Sequence, residues 1–549
     1  MDDRRLLIAI ALAGVILFGW QFMLQRTGLE RQAAQVQVRE QTSTAQAPAQ
    51  PSAGTLSPNF TPAAPATMSA PAPEQLTSVD TRTWKIVFSS RGARPVDWVL
   101  KDYRRGDRHP LELIPDSSGL EALALRHKGA ETDFSLATFK LTEDRRDAAA
   151  RLLTYEIRDT SGTLLRVRYS IPDDGYTCGV TWETENPGPD DRLVVQWRSW
   201  KLDTETNSAE DVQHGASDAL LGAELSQDFL GGFKKAPSKV HSGSVEWALM
   251  RSKYFALGFL FPPQAIGGVT TLGHLDTKQT GVRFEYPWLG KSSIAYEMYV
   301  GPVDYQKLNA AGHNLPRLLD VGGLWSFMAP IMTPLSRGLL KFFTLTHRFV
   351  PNFGLVIIVL SVALRLVLWP LSNAQMSSMR KMQELQPVMD RLKEKYKNDQ
   401  ERLNKEIFAL YKENNVNPFG GCLPLLVQMP VMIALYNLFN GAIELRQAGF
   451  FGWITDLSAP DVLATVGGFP LHILPLVMAG TMIWQQKLTP VDPRQATMAY
   501  IMPVVMLFIF YRLPSGLVLY WTVTNILTAL QQMQNRPRPN PNAAAAVAS

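Results

Sequence analysis

The sequence predicts a multi-span α-helical membrane protein with six transmembrane helices, and a large all-β domain between the first helix and the other five. Apolar runs of near membrane-spanning length occur near the start of the chain and again in its C-terminal third. Between them, short segments alternate apolar and polar side chains, which is typical of half-buried antiparallel strands. The two patterns together indicate a helical membrane part and a separate β-sheet part.

The N-terminal segment, residues 1–25, is predicted to be a transmembrane anchor. Residues 6–24 contain one strongly polar side chain, Gln21, and at about 1.5 Å per residue they reach roughly 28 Å, enough for a bilayer core. A cleaved secretory signal is the alternative, but this run ends in bulky Trp20 and Phe22 rather than in the small residues of a cleavage site. We therefore expect an uncleaved anchor.

Residues 26–76 are predicted to be a linker. Its section from 41 to 73 carries no charge and is rich in Ala, Pro, Gln, Ser and Thr. Such a composition buries too little apolar surface to offset the entropy of ordering the chain. The prolines favour a partly extended tether.

Residues 77–320 are predicted to form a β-sandwich domain, and the segment is long enough to bury a core. Gly, Pro and Asp mark the breaks between its alternating segments. The stretch from Val303 to about Leu319 has a helical pattern and is expected to close the domain. The predicted strands include residues 83–90, 164–172, 178–186, 192–202, 281–289 and 293–302.

The rest of the chain is predicted to be helical. Residues 324–349 interleave leucines and aromatics with basic residues, which is typical of an amphipathic helix lying in the membrane interface. The second transmembrane helix is predicted over 353–370, helices three to six within 421–533, and a short disordered tail over 534–549. The four later spans are residues 421–440, 469–486, 498–511 and 517–533.

Residues 371–418 are predicted to form a helical hairpin in the cytoplasm. Two apolar stripes at helical spacing, one ending at Tyr396 and the next beginning at Leu403, indicate two antiparallel helices joined by a short turn. This segment holds nine Lys and Arg residues whereas 441–468 holds one, so the positive-inside rule places the hairpin in the cytoplasm. Six spans then place both termini in the cytoplasm and the β domain on the other side.

Composition and motifs argue against several classes of function. The net charge of +5 is small and scattered, so no nucleic-acid partner is expected. Cys178 and Cys422 fall in parts of the chain expected in different compartments, and the eight histidines show no metal-ligand spacing. No phosphate-binding loop, dinucleotide fingerprint or nucleophile elbow occurs in the sequence. We therefore expect no metal, no cofactor and no enzymatic activity.

One charged residue, Arg365, lies inside the second predicted span. An arginine at a bilayer centre costs from about 3 to more than 10 kcal/mol. One interpretation is that its side chain snorkels to the headgroups. Against that, helical side chains lean towards the helix N-terminus, here into the membrane, and Ser361 and Trp369 share its face. No acidic residue within the predicted spans can pair with it, which favours a water-filled groove open to the cytoplasm.

Other predicted spans supply polar residues of the same kind. Gln428 lies in the third span, with Met432 and Tyr436 following at helical spacing, and the sixth span has Thr524 and Asn525. For any single Asn or Thr, an ordinary interhelical hydrogen bond of about 0.6 kcal/mol is the simpler interpretation. For Gln428 together with the arginine, we favour a shared groove.

Four methionines crowd the first helix of the hairpin. Flexible Met side chains suit surfaces that bind varied apolar partners, and they serve equally well to fill the core of the hairpin itself. The sequence leaves both interpretations open for Met376, Met379, Met382 and Met389.

Three segments carry a resemblance to a known family: "RLVLWPLSNAQMSSMRKMQELQP" (365–387), "NPFGGCLPLLVQMPVMIALYNLF" (417–439) and "LPSGLVLYWTVTNILTALQQ" (513–532). With the anchor, the Pro-rich linker and the large β domain, the whole chain resembles the YidC/Oxa/Alb family of membrane protein insertases. The resemblance implies a five-helix core around a hydrophilic groove, and a periplasmic β-super-sandwich. It also implies an inner-membrane location and the insertion and folding of membrane proteins, alone or with the Sec translocon.

The resemblance also implies site residues and partners. The family's groove arginine matches Arg365, and its substrate-contacting helices match the third and sixth spans. The implied partners are nascent membrane protein clients, membrane lipids, the Sec translocon and, through the basic hairpin, the ribosome. The tail has only Arg536 and Arg538, so tail-driven ribosome docking is not expected. The expected groove residues are Arg365, Ser361, Gln428, Met429, Met432, Tyr436, Tyr520, Trp521, Thr524 and Asn525.

Two other classes of function compete with insertion. A secondary transporter or channel would show repeated halves and intramembrane acidic residues for ion coupling, and the sequence has neither, although its span prolines permit broken helices. A periplasmic binding or scaffold protein would need one anchor, so five further spans argue against it.

Overall fold

The structure is a computed structural model of the 549-residue chain. The predicted anchor, nearly all of the predicted linker and the predicted tail lie outside the residues that it describes. The described residues are 64–65, 73–114, 119–127, 130–147, 149–158, 162–201, 204–205, 212–320, 329–370, 372–373, 377, 381, 384–397, 399–414, 423–467, 469–488 and 496–534.

The first part of the described chain is rich in β-sheet, and each of the six predicted strands is confirmed to within two residues at either end. The strands of this part are β1 (Ala64–Pro65), β2 (Leu76–Asp80), β3 (Trp84–Ser89), β4 (Arg94–Arg104), β5 (Pro110–Ile114), β6 (Gly119–His127), β7 (Ala130–Asp133), β8 (Lys140–Arg146), β9 (Ala150–Arg158), β10 (Leu164–Pro172), β11 (Thr177–Thr184), β12 (Arg192–Lys201), β13 (Ala216–Leu221), β14 (Glu224–Phe229), β15 (Ser238–Ser242), β16 (Val245–Arg251), β17 (Phe255–Leu260), β18 (Gly268–His274), β19 (Gln279–Pro287) and β20 (Ser293–Pro302).

The strands form two large sheets and one small one. A nine-stranded sheet has the order β14-β13-β16-β17-β20-β11-β10-β9-β8, and a seven-stranded sheet has the order β1-β7-β6-β12-β19-β18-β15. Strands β2 to β5 form a four-stranded sheet. On β11 every second residue is buried, as the alternation of the sequence predicts for a strand with one face on a core.

The two large sheets pack on each other through aromatic rings. Phe259 on β17 of the nine-stranded sheet lies 4.9 Å, between ring centroids, from Phe284 on β19 of the seven-stranded sheet. Tyr296 on β20 meets Phe284 edge-to-face at 5.5 Å. Such edge-to-face contacts add roughly 0.5–1.5 kcal/mol to the burial of the rings. This core is the centre of the β-rich part of the protein.

The end of the predicted linker contacts the sheets. Strand β1 pairs in parallel with β7, and the backbone N–H of Gln75 donates to Ser90 Oγ over 2.8 Å. The Ser89 hydroxyl donates to the Glu74 carboxylate. Residues predicted to belong to the tether therefore already take part in the β-rich part.

Helices follow the last strand. The predicted helical closing segment forms a short helix, α1 (Tyr305–Ala311), and a 3₁₀ turn over Leu315–Leu319. The helices after it are α2 (Ala329–His347), α3 (Phe353–Val367), α4 (Gln386–Lys395), α5 (Gln400–Glu413), α6 (Leu423–Gly441), α7 (Leu474–Leu488), α8 (Ala496–Phe510) and α9 (Ser515–Gln534).

The helices differ in length from the predicted spans. Helix α3 ends at Val367 rather than at Pro370, because a proline has no N–H to donate to the carbonyl four residues earlier. The prediction of a helix from residue 469 is wrong: Phe469–Leu471 forms a strand that pairs with Ala464–Val466, and α7 begins at Leu474. Within the part of the chain that the structure describes, no helix is long and apolar enough to cross a membrane.

Helices α2, α3, α6, α7 and α9 share a second hydrophobic core, which we call the bundle. Gly516 at the start of α9 lies so close to α3 that a Cβ there would be 3.2 Å from Ile357 and 3.0 Å from the Leu457 carbonyl oxygen. The missing side chain at Gly516 thus allows α9 to pack closely against α3, and the two helices run in the same direction. This contact places the C-terminal half of α3 beside the middle and end of α9.

In the hairpin region, α4 and α5 lie side by side. The Tyr411 hydroxyl contacts Met389 Sδ at 3.1 Å, and Met389 is buried. Of the four methionines singled out by the sequence, Met389 therefore packs within the hairpin. The side chains of Met376, Met379 and Met382 lie outside the described residues.

Candidate functional site

The C-terminal half of α3 places the Arg365 side chain against the end of α9. Its Nη2 donates a hydrogen bond to the side-chain carbonyl of Gln531. Gln531 is 1% exposed, and its Nε2 donates to Asn373 Oδ1 over 2.8 Å. The arginine is thus held by a chain of two neutral amides rather than by a carboxylate.

The charge of Arg365 is left largely uncompensated. Among the described residues, no carboxylate oxygen lies within 4.0 Å of its guanidinium, and its Nε is buried with no hydrogen-bond partner. The residue as a whole is half-buried. A cation in this state attracts polar or anionic groups, because a buried donor without an acceptor costs roughly 1–3 kcal/mol.

A second pair of polar residues lies beside this arginine. Gln428 Nε2 on α6 donates to the Tyr520 hydroxyl on α9 over 3.3 Å, and Tyr520 is almost fully buried. The Tyr520 ring also packs on Phe439 at 6.2 Å between centroids, and its hydroxyl interacts electrostatically with Arg365. Helices α3, α6 and α9, which carry the expected groove residues, therefore meet around Arg365, Tyr520 and Gln428.

The other expected groove residues point elsewhere. The Ser361 hydroxyl donates to the Ile357 carbonyl of its own helix over 2.7 Å, so its hydrogen is used within α3. Asn525 donates to Thr481 Oγ1 on α7 over 3.3 Å, which is an ordinary interhelical bond. Trp521 packs edge-to-face on Phe510 at 4.9 Å. The Asn and Trp side chains thus hold helices together instead of joining the arginine.

The remaining four expected groove residues, Thr524, Met432, Tyr436 and Met429, lie on α9 and α6. Thr524 lies one turn after Tyr520 on α9, and among the described residues its buried hydroxyl has no hydrogen-bond partner. Met432 and Tyr436 line a cavity at the opposite end of α6, among residues of the β-rich part. The side chain of Met429 lies outside the described residues.

Gln531 and Asn373 are missing from the residues that the sequence predicted. The sequence did contain a signal for Gln531. It follows Tyr520 by eleven residues, which is about three helical turns, so the two side chains lie on the same face of α9. Asn373 follows Trp369-Pro370 in the segment predicted to form the cytoplasmic hairpin, so nothing in the sequence around it indicated a site residue. It was identifiable only from the fold.

The loop after α6 ties the bundle to the β-rich part. The Arg446 guanidinium donates from Nε to Glu205 Oε1 over 2.8 Å and stacks over Phe255 at 5.3 Å. The Arg446 side chain is 3% exposed and the Glu205 side chain 14% exposed. Burial raises the pKa of the Glu205 carboxyl, although Arg446 opposes the shift. Ile443, in the same loop, belongs to the hydrophobic core of the β-rich part.

Within the described residues, no group of three or more His, Cys, Asp and Glu side chains is placed to hold a metal ion. The candidate site is therefore defined by hydrogen-bonding groups: one guanidinium, several amides and one phenol. Such groups bind polar chain segments by hydrogen bonds and charge. The fold and this site together define a two-part protein, with a β-rich part and a helical bundle that holds a half-buried arginine.

Comparisons with known proteins agree with this division. The family described as "60Kd inner membrane protein" matches residues 345–540, and the family described as "YidC periplasmic domain" matches residues 76–334. A protein named "Membrane protein insertase YidC" from Chlorobaculum tepidum is 31% identical over 96% of this chain and 94% of its own length. One of the same name from Pelobacter propionicus is 33% identical over 97% and 98%.

A solved structure described as an active YidC insertase with the first transmembrane domain resolved shares 18% identity, covers 86% of this chain and 94% of its own, and has a TM-score of 0.38. The two curated relatives cover nearly the full length of the chain. The chain belongs to the YidC family. Membership places the protein in the bacterial inner membrane, with a periplasmic domain formed by the β-rich part.

Proposed function

We propose that this protein inserts and folds inner-membrane proteins, which enter from the cytoplasmic side as nascent chains. Relatives that match almost the whole chain bear the name membrane protein insertase. The single observation that carries the proposal is the state of Arg365: it is held by the neutral Gln531 amide, and no described carboxylate neutralises it. A charge kept in this state is available to an incoming chain.

We propose that the chain crosses the membrane six times, with both termini in the cytoplasm. The nine basic residues of 371–418 against the one of 441–468 support this orientation. Apolar side chains that face outward from the bundle also support a lipid environment: Val367 on α3 is 74% exposed and Phe508 on α8 is 78% exposed.

In the proposed mechanism, the Arg365 site lowers the cost of bringing the polar end of a client partway into the membrane. Hydrogen bonds to a charged donor are worth roughly 1.5–3 kcal/mol, so the guanidinium offsets part of the client's lost hydration. The apolar segment of the client then passes into lipid along α6 and α9. Its transfer supplies the driving force, at about 25 cal/mol per Å² of apolar surface.

The proposed partners follow from the same arrangement. The basic helices α4 and α5 are proposed to receive the client and to contact the ribosome weakly. The periplasmic domain is proposed to contact the Sec translocon when the two work together. No nucleotide-binding motif occurs in the sequence, so we propose that no ATP step and no covalent chemistry belong to this chain.

The proposal is tested by reconstituting the full chain into liposomes and adding a small single-span client. Protease protection of the client's translocated tail is measured without ATP, beside empty liposomes. We expect protection above the empty-liposome level. Arg365→Ala is expected to reduce the protected fraction about tenfold or more, because losing one hydrogen bond to a charged group changes an equilibrium by about that factor. Equal protection in the wild type and in empty liposomes would contradict the proposal.

A matched variant separates charge from size. Arg365→Lys keeps the charge but loses the planar set of donors, and we expect it to retain part of the insertion. Lys341→Ala removes an exposed basic residue on α2, away from this site, and we expect it to insert clients as the wild type does.

A further inference from the structure

A cavity of about 870 Å³ lies where the β-rich part meets the bundle, and we call it the junction cavity. It is bounded by β14, β16, the 3₁₀ turn over Leu315–Leu319 and helices α2 and α6. Arg365 and Gln531 do not line it, so it is separate from the arginine site. Its volume falls in the range of about 300–1,000 Å³ that is usual for sites of small molecules and cofactors.

The floor of the junction cavity is apolar. Leu340 of α2, Ile433 of α6 and Leu517 of α9 contribute to it. From the β-rich side, Phe229 and Leu319 also line the cavity, and each is 39% exposed. Large apolar side chains that stay accessible inside a concave surface favour an apolar occupant, because covering them removes apolar area from water.

The rim of the junction cavity carries charges of both signs in equal number. Its basic residues are Arg251, Lys253 and Arg337, and its acidic residues are Asp304, Asp320 and Glu444. Arg337 Nη2 donates to Asp320 Oδ1 over 3.2 Å, yet its side chain is half-exposed and a guanidinium has five N–H donors. The rim thus offers N–H donors to an anionic group and carboxylates to a cationic group.

Asp304 and Glu444 both line the junction cavity and interact electrostatically, although one follows β20 and the other follows α6. Among the described residues, no basic side chain forms an ion pair with either of them. Burial, together with Asp304, raises the pKa of Glu444 to about 7. Two neighbouring carboxyls without a cation between them are stabilised when an ammonium group binds there.

We propose that the junction cavity binds a membrane phospholipid with an amine-bearing headgroup. Its acyl chain lies on the apolar floor, its ammonium lies between Asp304 and Glu444, and its phosphate accepts hydrogen bonds from Arg337. A headgroup with both charges matches a rim with both charges, whereas a purely anionic lipid leaves the two carboxyls unpaired. The proposal rests on the inner-membrane location of the family and is independent of the insertion activity.

The proposal is tested with the full chain in detergent micelles, titrated with phosphatidylethanolamine or with phosphatidylglycerol of the same acyl chains. Native mass spectrometry counts the bound lipid. We expect one phosphatidylethanolamine to bind preferentially. Glu444→Gln is expected to weaken that binding about tenfold and to leave phosphatidylglycerol unchanged, whereas Leu340→Trp, which fills the floor, weakens both.

Two control variants match these changes. Leu345→Trp lies on the same helix as Leu340 but is exposed and outside the cavity, and Glu224→Gln removes an exposed carboxylate of the β-rich part. Both are expected to bind lipid as the wild type does. If Leu340→Trp fails to fold, Leu319→Trp fills the same cavity from the other side.

Several results would overturn the proposal. Equal binding of the two lipids by the wild type, unchanged in Glu444→Gln and Leu340→Trp, would exclude an amine-specific site. A photo-crosslinking residue at position 340 that captures a client chain instead of lipid would assign the cavity to clients. Liposome insertion is measured on the same variants, and because the proposal is independent of insertion, lost lipid binding with normal insertion is the expected result.

Discussion

The side-chain carbonyl of Gln531 accepts a hydrogen bond from Nη2 of Arg365, and the same amide donates to Asn373 over 2.8 Å. An amide orients a guanidinium without neutralising it. A carboxylate in this place would form a buried ion pair and consume the charge. The arrangement therefore fixes the direction of the Arg365 side chain and leaves its charge without a counter-ion among the described residues.

The first prediction concerns Gln531 as a positioning residue. Gln531→Leu removes the acceptor and lets the guanidinium adopt other rotamers, so we expect the insertion of an acidic-tailed client to fall about tenfold. Gln531→Glu is expected to impair insertion equally while raising the melting temperature, because it supplies a counter-ion. Protease protection in liposomes and thermal unfolding in micelles measure the two effects.

Gln534→Leu is the matched control, since Gln534 is exposed in the last turn of the same helix. It is expected to change neither measurement. If Gln531→Glu inserted clients as well as the wild type, the charge of Arg365 would not be what the client uses, and the positioning role of Gln531 would fail with it.

The sequence predicted the β strands well because their signal is local. On β11 the alternation of side chains matches the alternation of burial residue by residue. The start of α7 was predicted wrongly because the run "GGFPLHIL" is apolar enough to continue a helix. The turn at Gly467, with φ of +58°, instead lets Phe469–Leu471 pair back on Ala464–Val466.

The candidate site was predicted only in part, for a different reason. Arg365 and Gln428 were identified because polar residues inside apolar runs stand out. Ser361 and Asn525 stand out in the same way, but bond to Ile357 and Thr481. Which of several polar side chains reaches Arg365 depends on how each helix is rotated about its axis, and no local pattern in the sequence specifies that rotation.

The second prediction concerns the pair Gln428 and Tyr520. Their 3.3 Å hydrogen bond is long and joins two neutral groups, so a double-mutant cycle with Gln428→Leu and Tyr520→Phe is expected to give a coupling energy of about 0.6 kcal/mol. Unfolding in mixed micelles measures it. A coupling energy near zero would mean that the two side chains do not share a bond in the folded protein.

The third prediction concerns the ion pair between the bundle and the periplasmic domain. Arg446→Ala removes the ion-pair partner 2.8 Å from the largely buried Glu205 carboxylate, and we expect a loss of about 3–5 kcal/mol in the free energy of unfolding. The double variant Arg446→Met, Glu205→Leu is expected to recover most of that loss, because it buries no charge. Denaturant unfolding of the full chain provides the measurement.

The exposed pair Arg158 and Glu185 is the control for that prediction. Its atoms lie at the same 2.8 Å, but both side chains are half-exposed. Arg158→Ala is therefore expected to leave the free energy of unfolding close to that of the wild type. Equal losses at the two sites would contradict the claim that burial decides the effect.

The fourth prediction concerns acid stability and the carboxyl of Asp228. Burial alone would raise its pKa, but hydrogen bonds from His241, Lys239 and Thr271 outweigh burial and lower the pKa from 3.8 to about 2. A carboxyl with a lowered folded-state pKa stabilises the fold above its unfolded-state pKa. That stabilisation, about 1–2 kcal/mol here, is lost as the pH falls from about 4 towards 2.

Asp228→Asn removes this contribution at every pH. We therefore expect the wild type to exceed the variant in unfolding free energy at pH 7, and the difference to shrink below pH 4 and to vanish near pH 2. Denaturant titrations followed by tryptophan fluorescence at several pH values measure the difference. The exposed Asp174→Asn is expected to track the wild type throughout. A difference that stayed constant down to pH 2 would mean that Asp228 stabilises the sheet edges through packing and not through its charge.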